Sequence, residues 1–242
     1  MPMDQKIDIL IRKAHQIMKK SQDPIHDTKH VYRVVKYTKK FGKEMHLSEE
    51  QQQALILAAW WHDTGRTVTK NPSILLMPFV DDIISAIMLW RETVRCRLFG
   101  KVVGMATRMI FCKSMGTGKI LSKILMRKEN RIMIDILKDA DTLDMLSIER
   151  TKQIYKLVNS HWVYSYGYQI TIWWLLSSKH LQVKTQVAKK QLLILLDLFV
   201  TWIKKQHIFD WHVTQFGITW TTEQIKKSEQ LFKTLTYSFE HS

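Results

Sequence analysis

The stretch Ala58-Ala59-Trp60-Trp61-His62-Asp63-Thr64-Gly65-Arg66 decides how this chain is read. An apolar helix that runs into adjacent imidazole and carboxylate groups places them at the floor of a domain, where a carboxylate requires a cation. Upstream, His30 shares a stripe with Val34, Tyr37 and Phe41 and therefore points inward. Downstream, Asp141 and Asp144 lie among Leu137 and Met145 on adjacent rows of one helical face, whereas Asp139 projects elsewhere as a helix-face acid. Asp144 is a candidate to support Asp141. Imidazole nitrogens and carboxylate oxygens from three separated segments suit a divalent transition metal, with positions left for water and a substrate phosphate.

The rest of the chain reads as helix. Only 8 Gly and 4 Pro in 242 residues leave little punctuation for a many-stranded protein, and 45% hydrophobic residues suffice for a full core. Ile7, Leu10, Ile11, Ala14, Ile17 and Met18 recur at helical spacing, predicting a helix over 5–20. A second helix starts near Asp27. A third opens on the capping-box pattern Ser48-Glu49-Glu50-Gln51 and ends near Gly65. Helical patterns return over 79–98, 101–113, 118–127 and 129–159. Residues 162–172 break the rhythm: Trp162, Tyr164, Tyr166, Tyr168, Ile170 and Ile172 alternate with smaller or polar residues, predicting an extended flap or short hairpin. Strong periodicity from Val183 to Ile203 and a weaker one over 222–237 add C-terminal helices. The expected organisation is a helical metal-binding domain over 1–160, with 161–242 as a flap and helices packed on it.

The net charge of +15 raises the prior for an anionic partner, whether phosphorylated small molecule, nucleic acid or anionic membrane surface. The longest apolar run, Leu192 to Ile203, is interrupted by Asp197 and falls short of the ~20 residues of a membrane span. The acids near the N-terminus do not suit a signal peptide, and Cys96 and Cys112 lack metal-binding spacing, so a cytoplasmic location with free thiols is expected.

Three segments together resemble the HD superfamily of metal-dependent phosphohydrolases: His26-Asp27-Thr28-Lys29-His30-Val31-Tyr32-Arg33-Val34, the stretch 58–66 around His62-Asp63, and Asp139-Ala140-Asp141-Thr142-Leu143-Asp144. The resemblance covers residues 20–150 and implies an all-α HD-domain bundle, here with additional C-terminal helices. It implies that His30, His62, Asp63 and Asp141 bind one divalent ion (Mn, Fe, Co, Ni, Zn or Mg). It further implies hydrolysis of a phosphate ester or phosphodiester of a nucleotide-like small molecule through a metal-activated water. Asp63 and Arg66 are then the catalytic residues. Arg66 offers a planar fork of donors to the substrate phosphate, and His26 and Asp27 line the same pocket or fix a ligand tautomer.

Departures from the family pattern narrow this. The Glu that marks nucleotidase and alarmone-hydrolase subtypes is replaced by Arg66. A His-Glu-x-x-Ser-Ala segment becomes Asp81-Asp82-Ile83-Ile84-Ser85-Ala86, and Cys112-Lys113 stands where a later His is expected. One metal is therefore expected, with Asp81 the residue that could replace an imidazole for a second. The alternative is a catalytically degenerate protein that binds nucleic acid through its basic surface, with the aromatic series from Trp162 to Trp174 stacking bases. A third reading lays the basic-flanked helix of 187–206 on an anionic membrane.

Overall fold

The computed structural model describes residues 3–69, 77–114, 118–159, 162–176 and 183–240. Every regular element among them is helical, which establishes the all-α class. The chain divides into two compact units, Met1–Asp141 and Thr142–Ser242.

The first unit is built around α3 (Glu49–Trp61), which neighbours α1 (Met3–Met18), α2 (Thr28–Glu44) and α5 (Lys101–Lys113). Leu55, Leu57, Ala58, Ala59, Trp60 and Trp61 are all buried, so the second half of α3 is apolar and takes the centre. Its N-terminus is fixed by the anticipated capping box: Ser48 Oγ accepts from the Gln51 N–H while the Gln51 side chain accepts from the Ser48 N–H. At the other end the Trp61 indole N–H donates to the Leu10 carbonyl at 3.1 Å, tying α1 to the helix that delivers His62 and Asp63. A short 3-10 helix over Thr64–Val68 follows and packs on α4 (Met77–Arg95), which lies against α5. Next come α6 (Gly118–Leu125), a 3-10 turn at Lys128–Asn130 and α7 (Arg131–Met145); the division between units falls within α7.

Gly65 serves a purpose other than ending a helix. The C-cap of α3 is His62, and a Cβ at position 65 would stand 2.5 Å from the Asp81 carbonyl oxygen and 3.0 Å from Ser85 Oγ. Glycine is required because two backbones meet there, and the Gly65 N–H donates to Ser85 Oγ at 2.8 Å.

The second unit holds α8 (Ile148–Val158), α9 (Trp162–Leu175), α10 (Gln186–Ile203), α11 (Gln206–Phe216) and α12 (Ile218–Glu240). Two expectations are corrected here. The continuous helix over 129–159 is two helices: Leu146 and Ser147 close the end of α7 with bonds to carbonyls three residues back, and Ser147 Oγ then caps α8 by accepting from the Arg150 N–H. The flap at 162–172 is the helix α9. Its alternating residues contain the helical row Tyr168 and Ile172, which is buried, whereas Trp162, Tyr166 and Ile170 are exposed. A four-residue row is a subset of every two-residue alternation, so the aromatic pattern was compatible with both periods.

The apolar stripe of α10 is buried inside this unit through Leu192, Leu195, Leu196, Phe199, Trp202 and Ile203, with α8, α11 and α12 as neighbours. Among the described residues no helix is long and apolar enough to cross a membrane.

Candidate metal centre

Asp27 is the N-cap of α2, accepting from the His30 N–H at 2.8 Å, and so fixes where His30 emerges. His62 leaves the end of α3 with its Nδ1–H donating to the Ala59 carbonyl at 2.8 Å, which leaves Nε2 as a lone-pair donor facing the centre. Burial pushes the His62 imidazole below its ordinary range, against the opposing charges of Asp63 and Asp141, a direction that favours the neutral ring ligation demands.

Of the four expected donors, His30, His62 and Asp141 come together as one group, and Asp63 lies against both imidazoles. His30 Nε2 is 3.3 Å from His62 Nε2, 3.0 Å from Asp63 Oδ2 and 3.4 Å from Asp141 Oδ1. His62 Nε2 is 3.5 Å from Asp63 Oδ1 and 3.8 Å from Asp141 Oδ1. Around an ion about 2.1 Å from each donor, tetrahedral edges are about 3.4 Å and octahedral edges about 3.0 Å, so these spacings match a coordination shell. His30, His62 and Asp141 form a largely buried group able to hold a metal ion. Asp63 faces the two imidazoles with different oxygens, and its buried Oδ2 has the His30 ring nitrogen, 3.0 Å away, as its polar neighbour. Asp63 thus borders the group that could hold an ion, with one oxygen toward each imidazole. Burial alone would push the Asp63 carboxyl up, but the imidazoles of His62, His30 and His26 together hold it well below the usual carboxylate range.

Arg66 does not cap α3. From the 3-10 helix its guanidinium reaches Asp81 Oδ2 at 2.7 Å, Asp23 Oδ2 at 3.4 Å and, more loosely, Asp63 Oδ1 at 3.7 Å, while its Nε lacks a hydrogen bond. Asp23 escaped the sequence reading although it organises the loop before α2. Its Oδ1 accepts from the Ile25 and His26 N–H groups, and its Oδ2 pairs with His26 Nδ1 at 3.0 Å. The His26 ring stacks edge-on against His30, with centroids 5.5 Å apart. The signal for Asp23 was an Asp just before Pro24 and the His26-Asp27 pair, where an Asx-type turn leads into a helix.

Asp81 and Asp82, adjacent acids of α4, are both buried, and each holds one cation: Arg66 for Asp81, and Lys113 Nζ at 3.1 Å for Asp82. Lys113 Nζ also lies 2.9 Å from Asp141 Oδ2. Burial disfavours the Lys113 charge, yet Asp141 and Asp82 outweigh it and keep the ammonium well above the usual lysine range. For Asp82 burial prevails over Lys113 and raises the carboxyl to about 6. Asp139 is buried and is no solvated helix-face acid; Asp144 forms a buried ion pair with Arg150 at 3.2 Å across the break between α7 and α8.

No protein family, curated protein or solved structure matches the chain.

Proposed function

We propose that this chain is a metal-dependent phosphohydrolase of the HD type, cleaving a phosphate ester or phosphodiester of a nucleotide-like small molecule. The reading rests on one observation above others: the Nε2 atoms of His30 and His62 and Oδ1 of Asp141 lie 3.3 to 3.8 Å apart, with the Asp63 carboxylate 3.0 and 3.5 Å from the two imidazoles. His30, His62 and Asp141 would hold the ion, and a small rotation of the Asp63 carboxylate would complete the set. A divalent ion bound there lowers the pKa of a water towards neutrality and offsets charge on phosphoryl oxygens. Asp63, facing both imidazoles, would orient a water at the same place. Arg66, fixed by Asp81 and Asp23, has an unpaired Nε–H and offers its guanidinium to a phosphoryl oxygen. His26 and Asp27 border the site: His26 against the His30 ring, Asp27 as the cap that sets the position of His30.

The test is elemental analysis of the wild type beside Asp63→Ala, with phosphate release from a panel of nucleotides and phosphodiesters on the same samples. Near one ion per chain, lost in the variant together with hydrolysis, is the expected result. No metal and no turnover under metal supplementation would remove the reading.

A second reading is favoured by a cavity of 260 Å³ in the second unit, lined by Lys152, Lys156, Lys205 and His207 around Tyr155 and Trp202. Among the described residues the three lysines make no ion pair. Lys152 and Lys156 are four apart on α8, where like charges repel. Uncompensated lysines over an aromatic floor suit an anionic, base-bearing partner such as single-stranded nucleic acid.

A further inference from the structure

Asp141 uses its two oxygens differently. Oδ1 faces both imidazoles, at 3.4 and 3.8 Å, whereas Oδ2 accepts from Lys113 at 2.9 Å. The same ammonium donates to Asp82 Oδ1 at 3.1 Å, and only 12% of the Lys113 side chain is exposed. One oxygen of Asp141 thus belongs to the metal group and the other shares a lysine with a second buried carboxylate. Asp81, the neighbour of Asp82 on α4, is engaged by Arg66 at 2.7 Å.

Buried carboxylates require a counter-charge, and two of them converging on one point next to a metal group can be served by an ammonium or by a second divalent ion. An ion bridging Asp82 and Asp141 would occupy the space that Lys113 Nζ now fills. We propose that the Lys113 ammonium is a built-in second cation, which limits the centre to one metal ion and whose removal opens a second metal site between Asp82 and Asp141. This rests on the metal-binding reading above. It also accounts for a lysine at the end of α5 being drawn into the interior.

The experiment counts Mn²⁺ by calorimetric titration of metal-free protein and by elemental analysis, for the wild type, Lys113→His and Lys113→Gln. Both substitutions remove the charge and supply a donor atom. The expected result is one Mn²⁺ per wild-type chain and two per variant chain, with the second ion giving an exchange-coupled electron paramagnetic resonance signal. One ion in the wild type and one in folded variants overturns the proposal and leaves the metal-binding reading intact. Two ions in the wild type overturn it as well. None in the wild type overturns the metal-binding reading and the proposal with it. Should both variants unfold without metal, recovery of cooperative melting with two Mn²⁺ bound supports the proposal, and failure of Mn²⁺ to restore folding overturns it.

Discussion

Two buried histidines in this chain share a local geometry and differ in what lies at Nε2. His62 and His212 each donate Nδ1–H to a backbone carbonyl one turn back, Ala59 at 2.8 Å and Ile208 at 2.7 Å. The Nε2 of His212 accepts from the Tyr168 hydroxyl at 2.8 Å and the ring is complete. The Nε2 of His62 instead faces another imidazole and two carboxylates. Burial is what depresses His212 below its ordinary 6.5, outweighing the Ile208 carbonyl. The unfolded chain therefore takes up a proton near pH 6.5 that the folded chain resists. His212 contributes stability that is full above about pH 6.5 and is lost as the pH falls towards its lower folded value. The fall in melting temperature between pH 7.5 and pH 5.5 should be larger for the wild type than for His212→Asn, which keeps a donor for the Ile208 carbonyl. Equal falls would show that His212 titrates alike in both states. The sequence made His30, His62, Asp63 and Asp141 legible because each stood on an apolar face. Asp23 and the pairing of Lys113 with Asp82 were not legible, because they depend on which loop and which helix end meet in space.

Helices were readable wherever periodicity and a cap agreed. Ser48 with Gln51 marked the start of α3, and Asp27 that of α2. The break at Ser147 was missed because apolar spacing continues through it, and only the serine hydroxyl redirects the backbone. In α9 the aromatic alternation hid a helical row. Between α4 and the 3-10 helix the decisive feature is the contact at Gly65. Gly65→Ala forces a methyl to within 2.5 Å of the Asp81 carbonyl, so Asp81 and the Arg66 it holds must shift. The expected cost is about 1–3 kcal/mol, seen in denaturant melts. An alanine variant of unchanged stability would contradict the contact.

For the molecule as a whole, a net charge of +15 allows either a phosphorylated small molecule or a longer polyanion as partner. The two are separated by salt. If the lysines of the α8 cavity grip phosphates, affinity for a single-stranded oligonucleotide should fall steeply with salt, with a log–log slope of roughly −0.7 per phosphate contact. Exchanging Lys152, Lys156 and Lys205 for Gln should then lower that slope by about 2, while His62→Ala leaves it unchanged. Measured by fluorescence anisotropy from 50 to 300 mM salt, a slope indifferent to the three lysines would set the second reading aside.

The Gly65 N–H buried against Ser85 Oγ has a kinetic consequence. Gly65 lies in a short 3-10 turn, where amides ordinarily exchange with solvent deuterium within seconds to minutes. This one is sealed between two backbones and bonded to a hydroxyl whose own helix carries Asp81 and Asp82. Its exchange should await opening of the helix pair itself, so one slow amide outside the long helices would time how often the centre comes apart.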